Sequence, residues 1–313
     1  MDKKNENKLG FLKTGLVYLG LLLSLLATFL GAIHFFEGQL VTSLIFTLVL
    51  LLGIYFLINQ LIKKKEKLKK NSSFNRKLSL FLYSLYFLLA LPLSFFSIHG
   101  LNVELNAKPQ VKNEYANVQV EFKGIEANFD EKLVELIKNS NINLSNYIAR
   151  NDTAKLRKIY NINADLLKGD KDTLRKRKTE DIKSDLKEDY RKLMSEFKPV
   201  IIKSLGNIER WNLFELNTSM KLVDSKVPVL KKKIEDLFND VGNKYEYSEK
   251  LTFKSTQRVF DLTKPIELLS KNSSYGLLLI VLLQHFLLLS PVILSSSDRK
   301  YNKTRNVGGG IEL

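Results

Sequence analysis

Histidine is the one side chain whose ordinary titration falls near neutral pH, and this chain of 313 residues has three of them. His285 stands inside a long apolar run, directly after Gln284. At mid-membrane depth such a group is expensive and faces protein or a water-filled path. Two chemistries suit the pair. One is a proton or ion relay in which His285 titrates and Gln284 orients it. The other is a neutral imidazole hydrogen-bonded to a Ser or Thr of another span, holding a bundle together. The second is favoured, because the other apolar runs contain no carboxylate to share a proton. His34 and His99 end two further runs. With Glu37 as a third group they suggest a haem or metal site, but neither spacing forms a recognised ligand motif. The expectation is therefore no metal and no cofactor.

Other chemistry is sparse. The absence of Cys excludes a disulfide scaffold and cysteine-based zinc or iron–sulfur sites. No nucleotide-binding loop, nucleophile elbow, HExxH or kinase signature occurs, so no enzyme activity is expected. The run Gly308–Gly310 follows no strand and opens no helix, and reads with Ile311–Leu313 as a flexible tail.

The elements that must position the histidines are membrane spans. A helix needs about 20 apolar residues to cross the hydrocarbon core. Thr14–Phe36, Leu40–Ile62, Leu78–Ile98 and Tyr275–Leu294 meet that requirement without an Asp, Glu, Lys or Arg. The first follows Lys3, Lys4, Lys8 and Lys13 but is too long for a signal-peptide core, and a second span follows at once. On it, Gly20, Ser24 and Thr28 recur every four residues, and Ala27 and Gly31 form a second pair. Such small stripes let another helix approach closely, whether in this bundle or in a partner, and Ser43 and Thr47 offer a facing surface on the second span. Pro92 and Pro291 are expected to kink spans near their ends.

Lys and Arg of short loops resist translocation. The loop 63–77 carries Lys63, Lys64, Lys65, Lys67, Lys69, Lys70, Arg76 and Lys77 against Glu66 alone. Residues 1–13 and the tail 295–313 are also basic, the latter through Arg299, Lys300, Lys303 and Arg305, while Glu37-Gly38-Gln39 has no basic residue. The expected arrangement is a protein of the cytoplasmic (inner) membrane, with both termini cytoplasmic and residues 101–272 extracytoplasmic.

Residues 101–272 hold 33 of the 49 Lys and Arg and 27 of the 33 Asp and Glu. The net charge of +16 therefore reads as a lipid-facing collar plus solvated surface rather than a nucleic-acid footprint. The cluster Arg175–Lys178 is followed by Glu180, Asp181 and Asp185, as on a solvated helix face. Alternation in Asn117–Phe122, and again in Tyr245–Tyr247 and Leu251–Phe253, predicts short strands that close the domain. Between them Asp130-Glu131 open a helix, and Ile182, Leu186, Tyr190, Leu193 and Phe197 mark a second, ended or kinked at Pro199. A third is expected to begin at Pro228 and stop at Gly242.

The predicted fold is thus an α-helical four-span membrane protein with an α+β, mainly helical domain inserted between spans three and four. The predicted role is a non-catalytic subunit or scaffold of a cell-envelope assembly of export, secretion or motility type. Its partners would be the lipid bilayer, other envelope membrane proteins and possible further copies of itself. The competing role is a small ion- or proton-conducting unit gated by the outer domain, with His285 in the path.

Overall fold

A computed structural model describes residues 3–67, 73–254, 261–266, 268 and 275–294. The glycine run at 308–310 and the end at 311–313 lie outside the described residues, as do the tail's basic residues Arg299, Lys300, Lys303 and Arg305. The chain divides into two compact units. One comprises residues 1–107 and 262–313, the other Lys108–Asp261.

The first unit is built on α1 (Lys3–Phe35), α2 (Leu40–Lys67), α3 (Ser73–Asn102) and α8 (Tyr275–Leu294). It contains four helices long and apolar enough to cross a membrane. Its surface is apolar and its polar side chains are inside. Val41, Leu52, Leu80, Leu91 and Leu279 are exposed, while Ser24, Thr28, Ser43, Thr47, Ser97 and Gln284 are buried. This is the arrangement a hydrocarbon solvent selects, since lipid rewards apolar contact but offers no hydrogen bonds. The apolar core joins Ile54, Ile58 and Leu61 of α2 to Tyr86 and Leu93 of α3 and Leu288 of α8.

Backbones touch where α1 crosses α3. A Cβ on Gly31 would overlap the Phe96 carbonyl, with the carbonyl carbon only 2.7 Å away. One on Gly100 would lie 2.5 Å from both the Ala27 oxygen and the Gly31 nitrogen. Gly20 meets α8 in the same way, 3.1 Å from Leu287 Cβ. At the other end of the bundle, the Lys65 ammonium donates to the Val292 carbonyl and, at 3.1 Å, to that of Ile293. A cation there satisfies carbonyls left over at the C-terminal end of α8. After α3 the helical hydrogen bonding continues through a π-helical turn, Val103–Ala107.

Among the described residues the second unit's regular elements are all helices. It comprises α4 (Lys108–Ala149), α5 (Thr153–Tyr160), a short 3-10 turn, α6 (Lys171–Glu209) and α7 (Leu216–Lys244). The predicted β component is therefore corrected. Asn117–Phe122 lies within α4, where Val118 and Phe122 are buried and Val120 is 70% exposed. The alternation of apolar residues was genuine, but a helix buries residues four apart and turns the one between them outward. Asp130-Glu131 likewise fall inside α4 rather than opening a helix.

The other two expected strand segments are non-helical without being strands. Leu251 N–H donates to the Asn239 side-chain oxygen at 2.9 Å, and the Asn239 amide returns a bond to Leu251 O at 3.2 Å. Phe253 N–H donates to Glu235, and Lys231 donates to Lys254 O. Side chains of α7 thus take the place of a partner strand, satisfying the backbone without a ladder.

Pro228 does not open a helix as expected, and Pro199 does not end one. Pro199 lies inside α6 and Pro228 inside α7, which begins at Leu216 and runs past Gly242 to Lys244. Both prolines are exposed. The carbonyl that Pro199 leaves without an N–H partner belongs to Ser195, also exposed, where water can serve it. On α6 the buried stripe uses Ile182, Leu186, Tyr190, Met194 and Phe197, with Leu193 only half-buried. Phe129 of α4 stacks on Tyr190 with ring centroids 4.1 Å apart and meets Phe238 of α7 edge-on at 6.2 Å.

Mid-α4, nothing lies within 4 Å of a Cβ built on Gly124. Gly124→Ala should therefore raise stability by about 0.5–1 kcal/mol, the ordinary helix-interior difference between these residues. A chemical-denaturation midpoint followed by far-ultraviolet circular dichroism checks this, and a lowered midpoint contradicts it.

Tyr247 pins the final non-helical segment to α4 by donating to Glu135 at 2.9 Å, beside the Lys132 pairs with Glu135 and Glu249. Lys132, then Tyr247, hold the Glu135 carboxyl below its ordinary value of 4.5. Tyr247 is itself pushed up to about 12, first by burial and then by Glu135. A carboxyl with a depressed folded pKa stabilises fully above its unfolded value and loses that contribution as pH falls through the folded one. Below about pH 4.5, wild type should thus lose melting temperature faster than Glu135→Gln, and modestly so, since the group is solvent-screened. Parallel pH profiles for the two proteins would remove Glu135 from the account.

Candidate functional site

Three polar centres lie within the unit of apolar helices. The first is built on Gln284 of α8. Its amide nitrogen donates to Ser24 Oγ of α1 at 2.8 Å and to Ser97 Oγ of α3 at 3.3 Å. Ser24 donates its own hydroxyl to Gly20 O at 2.6 Å, and Ser97 and Thr28 share a bond of 3.0 Å. One amide thus ties α8 to both α1 and α3. The small stripe Gly20–Ser24–Thr28 faces this network, and Gly31 and Ala27 face Gly100 of α3. Ser43 and Thr47 are buried, but their hydroxyls donate to carbonyls one turn back on α2, Gln39 O and Ser43 O.

The second centre is His285. Ser94 Oγ donates to Ala90 O at 2.7 Å and lies 2.7 Å from His285 Nε2. A hydroxyl has one proton to give, so Ser94 accepts from Nε2–H. Nδ1 of the neutral ring is then an acceptor, and Tyr86 OH lies 3.0 Å from it. Both ring nitrogens are satisfied without charge. The geometry describes a tie between α8 and α3, with no carboxylate in it.

His34 and His99 come together in the third centre, with ring centroids 6.3 Å apart at 80°. Both are fully buried. The carboxylate beside His34 Nε2, at 3.6 Å, belongs to Glu104 of the π-helical turn. Glu37 instead occupies the exposed turn after α1, at φ 54°. Asn102, also buried, accepts from Asn106 at 2.8 Å. Among the described residues neither ring nitrogen of His99 makes a side-chain hydrogen bond, and the Leu262 backbone lies beside it. Also among them, no three His, Cys, Asp or Glu are placed to hold a metal ion.

Sequence spacing missed Tyr86, Ser94, Ser97, Gly100, Asn102 and Glu104. A signal existed for some of them: Ser94, Ser97 and Gly100 recur every three residues, which marks one helical face. Glu104 was hidden because the extra residue of a π-turn shifts which side chain faces inward. In the second unit, Arg175 pairs with Asp172 at 3.3 Å and Lys178 with Asp181 at 3.8 Å, so acids of the same helix answer part of the basic cluster.

Comparison of the sequence and fold with known proteins found no matching family model, no significantly similar curated protein and no significantly similar solved structure.

Proposed function

We propose that this chain is a non-catalytic, multi-pass subunit of a cell-envelope assembly of the export, secretion or motility type. In this reading it sits in the cytoplasmic membrane with both termini inside, and its inserted unit binds another component outside. The observation that carries the reading is the closure of Gln284 and His285 on Ser24, Ser97, Tyr86 and Ser94. Polar groups placed this way fasten helices to one another and give a rigid anchor. The Lys65 cap on α8 agrees with the topology, since it gathers the ends of α2 and α8 on one side. Affinity purification from native membranes in mild detergent, with mass spectrometry, tests the role. Stoichiometric recovery of other envelope proteins is expected, and a homogeneous homo-oligomer alone would count against it. Orientation is tested separately by single cysteines: Gly38 and Ser273 should react with an impermeant reagent in intact cells, and Ser72 should not.

A second reading, a proton-conducting unit, draws on the buried pair His34 and His99 with Glu104. It expects proton flux in proteoliposomes that falls in His99→Ala and Glu104→Gln and persists in His285→Ala. The subunit reading expects wild-type flux no higher than in protein-free liposomes.

A further inference from the structure

Between α4 and α6 runs a groove of about 360 Å³, inside the range of roughly 300–1,000 Å³ usual for small-molecule sites. Phe122, Met194 and Leu205 are lining residues and are nearly buried, at 5%, 8% and 6% exposure, so they form its floor. Ile202 stands at the lip, 51% exposed. Lys123 of α4 and Lys198 of α6 line opposite walls, and Glu126 is the single carboxylate among the lining residues. Among the described residues neither of these lysines is in an ion pair, whereas Lys187 and Lys192 of α6 are paired with Asp130 and Glu188.

The volume suits a small occupant. The chemistry is that of an amphiphile: an apolar floor for a chain, and two ammoniums against one carboxylate for an anionic head. We propose that this groove binds a single-chain fatty carboxylate, with the head between Lys123 and Lys198 and the alkyl chain running from there over Phe122, Ile202 and Leu205. The proposal stands apart from the role assigned above and needs neither reading of it.

The test uses the full chain in nanodiscs with a dodecanoate bearing a terminal diazirine, followed by peptide mass mapping after irradiation. Adducts should fall on the peptides holding Phe122 and Ile202–Leu205, and excess dodecanoate should suppress them. Dodecyltrimethylammonium should not. The double variant Lys123→Ala/Lys198→Ala, altered only at exposed side chains, should lose about tenfold in adduct yield, as for a lost charge-assisted contact. Adducts confined to α1, α2, α3 and α8, equal competition by the cationic amphiphile, or an unchanged yield in the double variant would each overturn the proposal. So would a photoreactive residue at position 202 that captures a protein in native membranes at full occupancy.

Discussion

Gly31→Ala should break the contact between α1 and α3. The added methyl would have to share space with the Phe96 carbonyl, and backbone cannot swing aside as a flexible side chain can. Relief requires the two helices to separate. Separation lengthens the Thr28–Ser97 bond and withdraws Ser97 from Gln284, so packing and polar ties fail together. Overpacking of a core ordinarily costs about 1–3 kcal/mol, and a backbone-to-backbone clash belongs at the upper end. The measurement is the temperature at which half the detergent-solubilised protein loses its monodisperse peak. Gly15→Ala serves as the control, because nothing lies within 4 Å of its built Cβ. Equal behaviour of the two variants would mean that α1 and α3 are not in close backbone contact.

Phe129→Ala should be the most damaging change in the second unit. The ring is 1% exposed and touches α6 through Tyr190 and α7 through Phe238, so it is shared by all three long helices. Truncation of a buried Phe costs about 3–5 kcal/mol from lost transfer energy and the cavity left behind. Val134, on the same helix but 68% exposed, supplies the comparison: Val134→Ala should shift the denaturation midpoint little. A small effect of Phe129→Ala would show that the three helices are not joined through that ring.

The spans were legible because length and apolarity are sufficient criteria for them, whatever the helices touch. Which faces meet was not legible. Gly20, Ser24 and Thr28 announced a close approach, yet nothing in their spacing names Gln284 or Ser97 as partners. His285 shows the same limit, since its hydrogen bonds reach Ser94 and Tyr86 nearly two hundred residues away in the chain. In the second unit the errors came from short windows. Val118, Val120 and Phe122 mimic a strand over six residues, and only the longer series Val111, Tyr115, Val118, Phe122, Ile125, Phe129 reveals the helical period. Pro228 misled because a proline on the exposed side of a helix need not mark its start. The segment 245–254 misled because side chains of α7 perform the bonding that a strand would have done.

The three-way tie at Gln284 has a consequence for how the protein is made. Its partners on α1 and α3 leave the ribosome early, whereas α8 follows only after the stretch from Val103 to Ser274. At ~5–20 residues per second of synthesis, the nascent bundle waits roughly 10–35 s with Ser24, Thr28 and Ser97 uncovered toward the place of α8. Over that interval the half-built bundle depends on the insertion machinery, or on another helix standing in for α8, to keep those hydroxyls from mispairing. Truncation before Tyr275 should therefore route the chain to membrane quality-control proteolysis.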